Sequence, residues 1–251
     1  MRIGLALSGG GAKAIAQLGV LQALIDNDLE PSVISASSGG AVTALFYASG
    51  HSPEAMVELI MDAGAYAYIS PNFKRGGLFN MTRARKYYHR FLDDVTFSDL
   101  EIPVYIAATD LRSGKTIYFS EGDVVEPLIA STSIPVLYEP VEYLGHLLTD
   151  GSVSNNLPYE PLVGKCDKMI GVLTSGFERD FQSQRNTPDT TLDEAGHARG
   201  VALGCKKDYY FLPHLLPAIQ RPQQRALVGI FQISSHRQAA RQARQPHVQG
   251  F

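Results

Sequence analysis

The chain has 251 residues, 45% of them hydrophobic, which suffices for one large core and fits a single domain at the upper end of the usual size range. Its 22 basic and 25 acidic residues nearly balance, so the composition does not favour nucleic acid as a partner. The two cysteines, Cys166 and Cys205, have no metal-ligand spacing and are too few for a disulfide framework. Because no apolar run has the length of a signal-peptide core or of a membrane span, we expect a cytoplasmic protein, with non-classical export left open.

Strand and helix patterns alternate over the first fifty residues. Residues 2–7 form a short apolar run before three glycines, which predicts a buried parallel strand. Apolar residues then recur at helical spacing over 14–25. A second apolar run at 33–36 precedes another helical pattern at 41–48. The sequence therefore predicts two successive strand, turn and helix units.

Residues 52–119 contain a predicted helix start, an irregular segment and a predicted hairpin. Residues 52–54 place serine, proline and glutamate in the order of an N-cap, a first helical position and an acidic first turn, which predicts a helix start. Aromatic residues over 64–81 lie among glycines and prolines without a period, which predicts an irregular flap. The β-rich runs 104–109 and 116–119, joined by a polar turn with a glycine, predict a hairpin.

The remaining predicted elements are a helix over 124–131, a strand pair around Val141 and Leu147, a buried strand over 168–173, a loop over 178–195 and a helix over 224–244. Strands that alternate with helices indicate an α/β fold with a mainly parallel central sheet sandwiched by helices. We expect one domain over 1–251, with the core motifs within 1–175 and a helical and loop C-terminal part over 176–251.

Charge is uneven near the C-terminal end of the sequence. Residues 221–244 contain no acidic residue. Their basic side chains are Arg221, Arg225, His236 (when protonated), Arg237, Arg241 and Arg244. Such a stretch is typical of a solvated helix face, and it also suits contact with anionic lipid headgroups. Peripheral contact with a membrane is therefore one expectation.

A glycine-rich turn, Ser8–Lys13, directly follows the first predicted strand and opens a helix. Three glycines allow positive φ and bring several backbone N–H groups close to a ligand, and the helix N-terminus adds partial positive charge. The turn can hold a phosphate or a developing oxyanion, or it can be only a tight connection. A dinucleotide fingerprint would require glycine where Ala14 stands, and the Gly-Lys-Ser/Thr of a P-loop is absent.

A second cluster of small residues, Ala36-Ser37-Ser38-Gly39-Gly40, lies between a predicted strand and a predicted helix. A nucleophile elbow needs small residues two before and two after the serine, because its sharp turn crowds the strand against the helix. Ser38 has Gly40 two places on, while Ala36 replaces the usual first glycine. A third turn, Asp150-Gly151, follows the predicted strand pair. All three clusters follow strands, where α/β proteins gather their sites.

These motifs together resemble the patatin-like phospholipase family. Its oxyanion-hole segment is similar to Leu7–Lys13 followed by Gly19-Val20-Leu21, and its G-x-S-x-G box to Ala36–Gly40. Further similar segments are Ala107–Leu111, Ala130–Pro135, Asp150-Gly151 and Asn155–Pro158. The resemblance covers roughly residues 1–175. It departs from the family pattern at Ala14, Ala36 and Gln17.

The resemblance implies a three-layer fold and a lipid acyl hydrolase with a Ser-Asp dyad. Ser38 would attack the ester carbonyl and Asp150 would accept its proton, giving an acyl-enzyme that water hydrolyses. An oxyanion hole would be formed by backbone N–H groups of Gly9, Gly10, Gly11 and Gly39. The implied partner is a lipid or ester substrate, with no metal and no other cofactor. Lys13, at the family's basic position, either attracts a phosphate headgroup or braces the loop.

Three alternatives stay open. An α/β-hydrolase triad would add a histidine after the acid, for which His197 and His214 are the candidates. An acyltransferase would use the same acyl-enzyme with another acceptor. A lipid-binding module without catalysis would follow if Ala36 distorts the elbow. No motif specifies the preferred lipid, the acyl position or the oligomeric state.

Overall fold

A computed structural model of the chain describes residues 1–63, 71–72 and 77–174, together with the backbone of two further strands at 209–211 and 229–233. Most of the flap predicted over 64–81 therefore lies outside the described residues, as does the loop predicted over 178–195.

The helices and strands alternate along the first two thirds of the chain. The α-helices are α1 (Ala16–Ile25), α2 (Gly39–Ala48), α3 (Pro53–Ala63), α4 (Thr82–Leu92) and α5 (Val125–Thr132). The strands are β1 (Ile3–Leu7), β2 (Val33–Ser37), β3 (Val104–Asp110), β4 (Lys115–Phe119), β5 (Val141–Tyr143), β6 (His146–Asp150), β7 (Lys168–Leu173), β8 (Tyr209–Phe211) and β9 (Gly229–Ile233). Short 3-10 turns over Gly11–Ile15, Gly151–Val153 and Glu160–Leu162 complete the part that bears on the site.

All nine described strands belong to one sheet, in the order β5-β6-β3-β2-β1-β7-β9-β8, with β4 paired to β3. The four central strands β3, β2, β1 and β7 are parallel, and the strands added at both edges are antiparallel. The expected α/β fold, a mainly parallel central sheet flanked by helices, is confirmed. The predicted hairpin is also confirmed, because β3 and β4 pair antiparallel.

One C-terminal prediction is wrong over five residues. The helix predicted for 224–244 contains strand β9, which pairs with β7 and with β8. Pairing with distant strands, which no local pattern reveals, decides the conformation here. The rest of that segment, with most of the predicted basic helix face, lies outside the described residues.

Side chains alternate between the two faces of the central strands. Leu5 and Leu7 point into the larger core, to which all five α-helices contribute, and Ala6 points into a smaller one. The segment around Leu162 and Cys166 covers that second face. Within the described part of the chain, no helix combines the length and the apolar character that a bilayer crossing requires.

Helix α4 occupies a region for which the sequence predicted no element. Its inner face carries Ala84, Tyr88 and Leu92, spaced four residues apart and fully buried. The outer face is basic and exposed. Two tyrosines and an arginine-rich outer face obscure this apolar stripe in the sequence.

The register of β3 determines where the site lies. Ala107 pairs with Ser37, the last residue of β2, and the next residue, Ala108, pairs with Asp150, the last residue of β6. Ser38 follows Ser37 directly. The two candidate catalytic residues, far apart in the chain, are therefore neighbours at one edge of the sheet.

Candidate active site

Ser38 forms a strained turn between β2 and α2. Its backbone has φ 51° and ψ −126°, a region that is unfavourable for a non-glycine residue and characteristic of nucleophile elbows. A Cβ atom on Gly40 would lie 2.7 Å from the carbonyl oxygens of both Leu7 and Ser8, so only glycine fits there. The elbow forms with Ala36 in place of glycine, and the Ala36 methyl group packs in the larger core.

The Ser38 hydroxyl donates a hydrogen bond of 2.6 Å directly to Oδ2 of Asp150. Both side chains are buried, at 6% exposure for the serine and 3% for the aspartate. The predicted pair therefore meets with no side chain between the two. His197 and His214, the candidates for a triad, lie outside the described residues.

Asp150 is held from three directions. Its Oδ1 accepts from the backbone N–H of Ser152 at 2.8 Å, and its own N–H donates to the carbonyl of Ser133 at 2.9 Å. The Thr109 hydroxyl donates to its carbonyl oxygen at 2.8 Å. These contacts leave Oδ2 directed at Ser38, which is the arrangement a proton acceptor needs.

Burial raises the pKa of the Asp150 carboxyl above its ordinary value of 3.8, because desolvation penalises the charged form. Hydrogen bonds from Ser38 and Ser152 act in the opposite direction and offset part of that rise. The result is a carboxylate more basic than an exposed aspartate, which favours accepting a proton from a hydroxyl.

The glycine loop lies against the elbow. A Cβ atom on Gly39 would approach the Gly11 carbonyl oxygen to 3.0 Å, and Gly11 itself has φ +54°. The N–H groups of Gly10, Gly11 and Gly39 have no acceptor among the described residues. The N–H of Gly9, in contrast, donates to the Asn156 carbonyl at 3.2 Å. Of the four expected oxyanion donors, Gly9 is thus already engaged and three have open N–H groups.

Polar side chains fix the shape of this loop. Gln17, fully buried, donates from Nε2 to the Ser8 carbonyl at 2.7 Å. Thr174 donates from its hydroxyl to the Gly9 carbonyl at 2.9 Å. Glutamine thus serves at position 17, where the sequence departs from the family pattern. Lys13 is exposed and makes no ion pair with the described residues.

Ser131 is a site residue to which the sequence assigned no role, although it lies in the segment Ala130–Pro135. Its buried hydroxyl accepts from the backbone N–H of Ser38 at 2.9 Å and donates to the Ala107 carbonyl at 2.7 Å. It therefore holds the strained turn from the C-terminal end of α5. The available sequence signal was a serine within the family-like segment Ala130–Pro135.

Replacing Ser131 with alanine is expected to lower kcat about tenfold with little change in KM, because the Ser38 N–H loses its acceptor and the elbow relaxes. Ser133→Ala is the matched control, since that hydroxyl is also buried at the end of α5 but bonds only the Ile129 carbonyl. Steady-state kinetics and denaturant unfolding of both variants measure the effects. Equal kcat losses in the two variants would show a stability effect and not positioning.

An apolar cavity of about 600 Å³ has Ser38 and Gly39 in its wall. The rest of its lining comes from the glycine-loop turn, from α2, α3 and α4, and from residues 132–138, and it includes Val42, Phe46, Met56, Tyr88 and Ile134. Apolar walls of this kind suit a hydrocarbon chain, whose burial is favourable by about 0.8 kcal/mol per methylene group.

The family model for patatin-like phospholipases matches residues 5–163, a span that contains the elbow, the glycine loop and Asp150. The chain belongs to the patatin-like phospholipase family. Most of the described part of this patatin-like chain thus lies within the matched span. In the sheet the glycine loop follows β1, the elbow follows β2 and the Asp150 turn follows β6.

Two relatives of this patatin-like protein match 70% and 62% of its length. An uncharacterised NTE family protein of Mycobacterium tuberculosis is 31% identical over 180 residues, which cover 70% of this chain and 50% of the relative. Patatin-like phospholipase domain-containing protein 6 of Mus musculus is 27% identical over 171 residues, or 62% of this chain and 12% of the relative. The chain therefore spans half the length of the mycobacterial protein.

A solved structure has the same fold. VipD from Legionella pneumophila matches with a TM-score of 0.54 at 19% identity, covering 62% of this chain and 47% of VipD. At this identity the match supports the fold alone, and the fold agrees with the family assignment.

Proposed function

We propose that this chain is a serine acyl hydrolase that cleaves carboxylic ester bonds of lipids through a Ser38–Asp150 dyad. The observation that carries the proposal is the direct hydrogen bond of 2.6 Å between the Ser38 hydroxyl and Asp150 Oδ2 at a strained elbow. The apolar cavity beside it supports a substrate with an acyl chain.

In this proposal Asp150 accepts the hydroxyl proton while Ser38 Oγ forms a bond to the ester carbonyl carbon. The carbonyl oxygen becomes an oxyanion, held by N–H groups of Gly10, Gly11 and Gly39. Losing one such donor typically costs about 3 kcal/mol of transition-state stabilisation. The tetrahedral intermediate then breaks its bond to the alcohol oxygen, which takes the proton from Asp150.

The acyl-enzyme is hydrolysed by the same groups in reverse order. Asp150 accepts a proton from water, whose oxygen attacks the acyl carbon, and Ser38 leaves with that proton as the free hydroxyl. The cavity holds the acyl chain through both steps, and each buried methylene group contributes about 0.8 kcal/mol to binding.

The test is turnover of a short p-nitrophenyl ester together with labelling by a fluorophosphonate. Wild-type protein should release p-nitrophenol continuously, and the label should appear on Ser38 and be absent from Ser38→Ala. Ester formation with an added alcohol in place of free acid would indicate an acyltransferase. Absence of both turnover and labelling would leave the lipid-binding module.

The pH dependence of kcat/KM follows from the raised pKa of Asp150. Protonated Asp150 cannot accept the Ser38 proton, so activity should fall as the pH is lowered through the folded pKa. Since burial raises that pKa above 3.8, the acid limb should lie above the range of an exposed aspartate. A kcat/KM profile on a soluble ester checks this. A kcat/KM profile whose acid limb is governed by a group with a pKa near 6.5, the ordinary histidine value, would favour the Ser-His-Asp triad.

A further inference from the structure

Two segments beside the cavity present apolar side chains to solvent. Backbone hydrogen bonds join them: the Leu78 N–H donates to the Val136 carbonyl at 3.2 Å, and the Phe79 N–H donates to the Leu137 carbonyl at 2.7 Å. The exposed residues, here called the apolar rim, are Leu78 at 61%, Ile134 at 40%, Val136 at 77% and Leu137 at 40%. Such a grouping is rarer than scattered exposed apolar residues and marks an interaction surface.

The rim is continuous with the cavity. Ile134 belongs to the rim and also lines the cavity, and Tyr138, on the same segment but outside the rim, lines the cavity too. Met61, at the end of α3, lines the cavity as well and is 72% exposed. Because exposed side chains form part of its wall, the cavity reaches the protein surface next to the rim.

Val136 is held in a conformation that costs energy. Its φ is +71°, a region that a β-branched residue rarely adopts. This backbone keeps the most exposed side chain of the rim directed outward, away from the core.

Positive charge lies next to the rim. Helix α4 begins three residues after Phe79 and contains no acidic residue, and its exposed basic face includes Lys86 and Arg90. Arg85 is paired with Glu126 at 2.6 Å and so is turned toward α5. Exposed apolar side chains followed by a basic helix face form the pattern that proteins use on anionic lipid surfaces.

We propose that the apolar rim and the basic face of α4 together dock this chain on an anionic phospholipid surface. Docking brings the cavity opening to the lipid, so that an acyl chain can pass from the bilayer into the cavity without crossing water. This rests on the proposed function for its purpose, but the binding itself requires no catalysis.

The apolar part is tested by co-sedimentation with vesicles of phosphatidylcholine containing phosphatidylglycerol. Val136→Glu should weaken binding about tenfold or more, because a charge replaces an inserted apolar group. Leu144→Glu is the matched control. That residue is similarly exposed, at 72%, and also has a positive φ, of 47°, but its hairpin turn is at the opposite end of β6 from Asp150. Equal binding losses in both variants would overturn the proposal.

The charged part is tested by a double substitution, Lys86→Gln with Arg90→Gln. It should reduce binding to the phosphatidylglycerol vesicles about tenfold and remove their advantage over pure phosphatidylcholine, as high salt should for wild type. Lys168→Gln is the control, an exposed lysine at the start of β7, the end of the parallel strand remote from the site. Vesicle binding that depends neither on the phosphatidylglycerol content nor on the salt concentration would contradict docking on anionic lipid. Absence of vesicle binding would contradict it as well.

Turnover of a soluble p-nitrophenyl ester separates this proposal from the catalytic one. The rim and α4 variants should retain wild-type turnover of that ester and lose hydrolysis of lipid presented in vesicles. A wild-type protein that binds vesicles but never turns over the soluble ester would contradict the hydrolase and leave the docking surface standing.

Discussion

Asp150→Asn is expected to lower ester turnover by about 10⁴-fold or more without loss of the fold. The amide matches the carboxylate in shape and retains an oxygen for the Ser152 N–H, but it cannot accept the Ser38 proton. Ser38→Ala should reduce turnover to a similar level. Single-turnover kinetics on the soluble ester measure both variants, and turnover within tenfold of wild type in either would contradict the dyad.

Asp150→Asn should also raise the free energy of unfolding at neutral pH. Because the pKa of Asp150 is raised in the fold, its favourable contribution is complete only below the unfolded pKa, about 3.9, and is lost as the pH rises through the folded pKa. Asparagine carries no charge to desolvate. Denaturant unfolding at neutral pH should therefore give Asp150→Asn a larger unfolding free energy than wild type, with the difference vanishing near pH 4. A difference that is independent of pH would argue against a penalised buried carboxylate.

Gly40→Ala is expected to lower the unfolding free energy by about 3 kcal/mol or more and to suppress labelling of Ser38. The added Cβ would lie 2.7 Å from two backbone carbonyl oxygens, neither of which can rotate away as a side chain would. The helix start must therefore shift, and the elbow with it. Denaturant unfolding and fluorophosphonate labelling measure the two effects.

Gly114→Ala is the control for this steric argument. Its added Cβ would meet nothing within 4 Å, although its φ of +68° is unfavourable for alanine. It should cost about 1–2 kcal/mol from backbone strain alone and leave labelling unchanged. A Gly40→Ala protein as stable and as reactive as this control would show that the elbow tolerates the contact.

Most of the described fold could be predicted from local patterns. Apolar runs next to glycines located β1, β2 and β7, and the Ser52 N-cap located the start of α3, where its hydroxyl accepts from the Ala55 N–H at 3.3 Å. Strand β9 could not be found this way, since β7 and β8 specify it. Helix α4 was not predicted because basic residues separate its buried positions along the sequence, and because one of those positions is a tyrosine.

The site divides in the same manner. Ser38, Gly39 and Asp150 lie at the ends of strands in recognisable motifs, so their positions could be predicted, and the structure brings them together. The engagement of Gly9 could not, because its acceptor is a carbonyl in a distant turn. Ser131 was also missed, as its role depends on a contact across the sheet edge with a backbone N–H. Side-chain motifs are visible in a sequence, whereas the backbone partners of a loop are not.

At the end of α5, residues 131 and 133 hold the site backbone, whereas residues 132 and 134 line the cavity. The Ser131 hydroxyl accepts from the Ser38 N–H and the Ser133 carbonyl accepts from the Asp150 N–H, so one short segment fixes the spacing between Ser38 and Asp150. Between and after them, Thr132 and Ile134 line the cavity. In the proposed hydrolase, changes at 132 and 134 should therefore alter which acyl chain fits, while the spacing between Ser38 and Asp150 stays constant.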